Sequence, residues 1–103
     1  MNNHQYLESL DFWIKMESKR AYMTMKMVNQ LGWLQRRVYD TLKNSQRHYK
    51  GITDQEIKKL LHDVDPNKVR PRRNELVKLG LVMCVGKRKC SVTQRESMIW
   101  AIV

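Results

Sequence analysis

The sequence predicts a mainly α chain closed by a small antiparallel β-hairpin, an α+β fold. Three observations lead there. Apolar residues recur at helical spacing in successive segments up to Gly80. Thr53 and Glu56 have the spacing of a capping box, in which hydroxyl and carboxylate each satisfy a backbone N–H that the first helical turn leaves orphaned. Beyond Gly80, LVMCV and SMIWAIV are rich in residues that favour strands, and the basic stretch GKRKCSVTQRE joins them.

Taken in order, QYLESLDFWIKM (residues 5–16) places Tyr6, Leu7, Leu10, Trp13 and Ile14 at helical spacing. Ser18 has the character of an N-cap for KRAYMTMKMVNQL, whose Ala21, Met25, Val28 and Leu31 share a face. Gly32 follows the last periodic residue, where a helix end favours a residue tolerant of positive φ. Leu34, Val38 and Leu42 set a third helix over residues 34–46. After a short extended GIT, the capping box opens a helix over 54–62 with Ile57, Leu60 and Leu61 as its buried face. HDVDPN is a turn, and a further helix runs to Leu79 and stops at Gly80.

Pro71 decides where that last helix begins. With Asp65 as cap and Pro66 at the first helical position, Pro71 would lie in the helix interior and cost about 3 kcal/mol. A start at Asn67 or Lys68 puts Pro71 in the first turn, where less is lost. The later start is expected, and it makes 63–67 the turn between two helices.

The net charge of +10 favours an anionic partner, nucleic acid or membrane surface. Its distribution is uneven. Residues 51–65 carry two Lys against four Asp/Glu, a net of −2, while residues 66–95 carry nine Lys/Arg against Glu75 alone, a net of +8. Such an imbalance between neighbouring elements has the form of an electrostatic footprint. No apolar run approaches the roughly 18 residues of a membrane span, and MNNHQYLESLDF lacks the charge and apolar core of a signal peptide, so no membrane role and a cytoplasmic location are expected.

On a wheel of 100° per residue, Val69, Leu76 and Leu79 mark the inner side of the last helix. Asn67, Pro71, Asn74 and Lys78 fall opposite, with Arg70 beside them. Arg can bond guanine bidentately, Asn can bond adenine, and an apolar ring can pack on a thymine methyl, so this stripe suits a major groove. Lys68, Arg72 and Arg73 flank it, placed for phosphates, although Arg72 and Glu75 at i,i+3 could equally form an ordinary surface pair. Lys87, Arg88, Lys89 and Arg95 crowd the hairpin connection, where the only acid is Glu96. They are expected to grip phosphate or the minor groove.

The order helix, short extended segment, helix, turn, helix, strand, basic hairpin, strand is that of a winged helix-turn-helix. The string TDQEIKKLL…DPNKVRPRRNELVKLGLVMCVGKRKCSVTQRESMIW resembles small winged-helix proteins of phages and prophages, and the similarity extends back through SKRAY and RRVYDTL to about residue 18. The resemblance implies a DNA-binding domain over 18–103; residues 1–17 have no counterpart in it and are read from their spacing as an N-terminal helical extension. It also implies a regulator of transcription or replication in a bacterial host cytoplasm. One departure stands out: such wings have a glycine before the tip arginine, where this chain has Gln94 before Arg95.

Because winged-helix proteins often pair to read two half-sites, the apolar face of Tyr6, Leu7, Leu10, Trp13 and Ile14 is expected to dimerise two copies rather than pack on helix 19–31 of the same chain.

Other chemistry is not expected. Cys84 and Cys90 along one strand would stand roughly 20 Å apart, beyond the roughly 7 Å a disulfide allows, so both should be reduced. His4, His48 and His62 are scattered without zinc spacing, so neither metal nor other cofactor is anticipated, and His62 reads as a surface residue. No nucleophile–base ordering, phosphate loop or carboxylate pair in an apolar setting suggests an enzyme. Asp63 and Asp65 read as turn residues bonding local backbone. Trp13, Trp33 and Trp100 read as apolar anchors. Double-stranded DNA is therefore the expected partner. The alternatives are a protein-interaction module for a host or phage protein, or an RNA or single-strand binder, which should interleave aromatics with its basic residues; 66–95 contains none.

Overall fold

The computed structural model describes residues 21–103, so Ser18 and the proposed dimerisation residues Tyr6, Leu7, Leu10, Trp13 and Ile14 lie outside the described residues. The chain divides into two units, Met1–Leu31 and Gly32–Val103. Of the first, residues 21–29 are helical. The second contains helices α1 (Trp33–Ser45), α2 (Asp54–Leu60) and α3 (Val69–Lys78), the last preceded by a 3₁₀ turn, Pro66–Lys68. Strands β1 (Val82–Lys89) and β2 (Glu96–Ile102) pair antiparallel. The class is α+β, as expected.

The core of the second unit collects one apolar face from each helix. Val38 and Leu42 of α1, Ile57 of α2, and Val69 and Leu76 of α3 are all fully buried. They meet Leu81, Val82, Ile99 and Ala101 from the hairpin. Burying each such side chain contributes about 1.5–3 kcal/mol. Ile52 adds a third, minimal strand: its N–H donates to the Trp100 carbonyl at 3.1 Å, and the Trp100 N–H returns the bond at 2.8 Å. Gly51 makes that approach possible. A Cβ there would stand 2.8 Å from Val85 Cγ2 and 2.9 Å from the Trp100 carbonyl oxygen.

Five sequence expectations change. Gly32 has φ −62° rather than a positive value, because it is the N-cap of α1, and its N–H donates to the Gln35 side chain at 3.0 Å. Leu60 is 57% exposed: α2 ends there, and Ile57 and Leu61 alone face the core. Trp33, the first residue of α1, is 71% exposed rather than an anchor, and Leu79 at the end of α3 is also exposed. The hairpin connection is shorter than anticipated, since β1 runs on through Gly86, Lys87, Arg88 and Lys89. A bulge between Cys84 and Gly86 absorbs one residue, and pairing then resumes from Gly86 opposite Ile99.

Candidate nucleic-acid interface

Local rules set the start of α3. The Asp65 carboxylate accepts from the Asn67 N–H at 3.0 Å, Pro66 opens a 3₁₀ turn, and the α-helix proper begins at Val69. Pro71 is therefore its third residue, in the turn whose N–H groups have no intrahelical acceptor, so the ring costs little. At the other end Gly80 takes φ +77°, and the Leu81 N–H reaches back to the Leu76 carbonyl.

The expected stripe faces outward. Asn67, Lys68, Arg70, Pro71, Asn74 and Lys78 are all exposed. Asn74 carries one constraint: its side-chain oxygen accepts from Arg73 Nη1, which occupies one of that oxygen's two acceptor positions. Bidentate adenine contact, which needs both oxygen and nitrogen, would use the remaining acceptor position.

Arg73 is not available for phosphate. It is 5% exposed; Nε and Nη2 donate to the two Asp54 oxygens at 2.9 and 2.7 Å, and its guanidinium lies 3.8 Å from the Trp100 ring centroid. This buried fork on a stacked platform welds α3 to the first turn of α2 and to β2. Arg72 forms the ordinary pair with Glu75 at 2.8 Å, and Glu75 also accepts from Gln35 of α1 at 2.6 Å. Trp100 is thus a core residue, as anticipated.

The hairpin repeats the pattern. Along β1 successive side chains alternate between faces. The register pairs Lys87 with Met98 and Lys89 with Glu96, placing both lysines on the face of Met98 and Trp100. Arg88 points to the other face. There Nη1 and Nη2 donate to Glu56 at 2.9 and 2.5 Å, and Nη2 also donates to the Gly51 carbonyl. Glu56 is a hub: it accepts from the Thr53 N–H of its own capping box, and from the N–H and hydroxyl of Ser91. Burial alone would raise its carboxyl, but the bonds from Arg88, Ser91 and Thr53 outweigh it and hold the group well below the usual carboxylate range. Arg88 belongs to this clip and is not a gripping residue.

The hairpin turn spans Cys90 to Arg95, closed by the Cys90 N–H to the Arg95 carbonyl at 2.8 Å. Gln94, standing where a glycine was expected, adopts φ +62°, and its side-chain amide donates to the Ser91 carbonyl at 3.0 Å. The turn geometry of a glycine is therefore kept by a residue that is strained in it. Cys90 is buried, its Sγ 3.0 Å from the Thr53 hydroxyl, whereas Cys84 is exposed; both are free thiols. Asp63 forms a two-point pair with Arg37 of α1 at 2.9 Å each, a partner 26 residues away that the turn position does not announce.

Six cations of the basic segments, Lys68, Arg70, Lys78, Lys87, Lys89 and Arg95, carry no acidic partner among the described residues. Arg70 and Met98 border a cleft of about 250 Å³ between α2, α3 and β2. Gln55, Lys58 and Ser97 line it too. The sequence reading overlooked Gln55 and Lys58; their position on α2 away from Ile57 and Leu61 could have found them. Among the described residues no group of three His, Cys, Asp or Glu could hold a metal ion, and no helix is long and apolar enough to cross a membrane. Scans against protein-family models, curated proteins and solved structures find no match to this chain.

Proposed function

We propose that this chain is a winged helix-turn-helix protein that binds double-stranded DNA, with α3 in the major groove and the hairpin as its wing. The observation that carries this reading is the sorting of cations. Arg73 and Arg88 are turned inward onto Asp54 and Glu56, while Lys68, Arg70, Lys78, Lys87, Lys89 and Arg95 stay outward without acidic partners among the described residues. In this reading Arg70, Asn74 and Lys78 address base edges, with Asn67 and Pro71 beside them. Lys68, Lys87, Lys89 and Arg95 contact phosphate. The resemblance to phage and prophage winged-helix proteins supports a regulatory role in transcription or replication inside a bacterial host. The helical spacing of Tyr6, Leu7, Leu10, Trp13 and Ile14 in the sequence supports a dimer formed through residues 1–17, which sedimentation of the full chain tests: a monomer at tens of micromolar removes that part of the reading.

The deciding experiment is selection from random duplexes followed by a salt titration. Neutralising about four phosphates, one for each of Lys68, Lys87, Lys89 and Arg95, gives a slope of log affinity against log salt of about −3.6. A slope near zero, or no enriched sequence, overturns the reading.

A further inference from the structure

A second concavity lies on the side of the hairpin away from Lys87 and Lys89. It is a groove of about 490 Å³ between α2 and β1, bordered by Tyr49, Ile52, Glu56, Lys59, Leu60 and Arg88. Its volume falls within the range of about 300–1,000 Å³ typical of binding sites, and it can take several side chains. We infer that this groove docks an acidic segment of a partner protein, anchored by large apolar side chains.

The apolar half of the argument rests on Leu60 and Tyr49. Leu60 holds a position of α2 whose periodicity aims it at the core, yet it is 57% exposed, and Tyr49, which also lines the groove, is 59% exposed. Neither is needed to seat α2, because Ile57 and Leu61 are buried without them. Two large exposed apolar side chains lining one groove form a contact surface rather than scattered surface residues.

The charge of the groove chooses the partner. Its one acid, Glu56, is neutralised by Arg88, and its oxygens are occupied by Thr53 and Ser91. That leaves Lys59, exposed and without an acidic partner among the described residues, and Lys50 follows Tyr49 directly in the chain. The rim is therefore net positive over an apolar floor. Nucleic acid would answer the lysines but leave Leu60 in water. An acidic segment carrying leucine or phenylalanine answers both. Arg88 and the two wing lysines point to opposite faces of β1, so the groove stays open with a duplex on the other face.

The test is a titration of the ¹⁵N-labelled full chain with a synthetic peptide of about a dozen residues, rich in Glu and Asp, with two leucines one helical turn apart. The control peptide replaces the leucines with serine at the same charge. The expected result is saturable shifts at the amides of Tyr49, Lys59 and Leu60, undiminished by saturating duplex DNA. Leu60→Ser should weaken binding about tenfold or more, and Lys59→Glu about three- to fivefold. Both residues are exposed, so both variants should keep the wild-type melting transition, and neither belongs to the proposed DNA face. Equal binding of the serine peptide, shifts confined to Arg70, Lys87 and Lys89, or no binding at all would overturn the inference. Groove amides that shift on dilution without peptide would assign the groove to a second copy and overturn it as well.

Discussion

Helix α3 and the β-hairpin are the two most basic regions of the chain, and each gives one arginine to the interior. Arg73 of α3 goes to Asp54, and Arg88 of β1 goes to Glu56. Both acids belong to the first turn of α2, so that single turn braces both elements. The environments differ. The Arg73 side chain is 6% exposed and stacked on Trp100, while that of Arg88 is 33% exposed. The lesson is that a basic segment holds two populations of cations. One builds the frame that sets helix against hairpin; the other is left for a partner.

The largest effect that separates these populations is at Arg73. Arg73→Ala strands Asp54 and uncovers Trp100, and should destabilise the chain by about 3–5 kcal/mol in a denaturant titration. Arg70→Ala, one turn away and exposed, should leave the midpoint unchanged. Similar losses for both would dissolve the distinction.

The hairpin anchor should come next. Glu56→Gln removes the charge that Arg88 needs while keeping most of the side chain's shape, and should cost about 2 kcal/mol at neutral pH. Because the folded Glu56 carboxyl lies well below its ordinary value, the unfolded chain takes up that proton first. The contribution is therefore complete above about pH 4.3 and is lost as the pH falls toward the folded value. The gap between wild type and variant should shrink steadily as the pH falls below about 4.3; a gap of the same size at pH 7 and pH 3 would show that the ionised carboxylate is not what braces the hairpin.

On DNA the exposed cations, rather than the paired ones, should carry the effect. Arg70→Ala should cost about 1–3 kcal/mol on the selected site and little on random duplex. Lys87→Ala should weaken both alike and flatten the salt slope by about one unit. Equal losses on both duplexes for Arg70→Ala would mean that α3 grips without reading bases.

The smallest effect sharpens the picture of the wing. Gln94→Gly relieves a non-glycine residue at φ +62° and should stabilise the chain by about 0.5–1 kcal/mol, after the loss of the Gln94–Ser91 bond. Thermal melting reads it directly. No gain would mean that the side-chain bond already offsets the strain.

Much of the fold was legible because its signals act over three or four residues. The capping box of Thr53 and Glu56, the late start of α3 that accommodates Pro71, and the positive φ of Gly80 all follow from local backbone chemistry. The outward stripe of α3 follows from helical periodicity in the same way. What sequence reading missed has partners far along the chain or lies at an element's end. Arg73 and Asp54 are 19 residues apart, and Arg88 and Glu56 are 32 apart. No local pattern says which arginines turn inward, since a wheel assigns a direction but not the acid that waits there. Leu60 fits the helical period and is exposed because α2 ends before its face meets the core. The order of residues along the chain specifies the elements and the excess of positive charge. Tertiary structure decided which charges are frame and which are free, because pairing a buried arginine depends on a carboxylate brought within about 3 Å by packing, and spacing along the chain does not encode that distance.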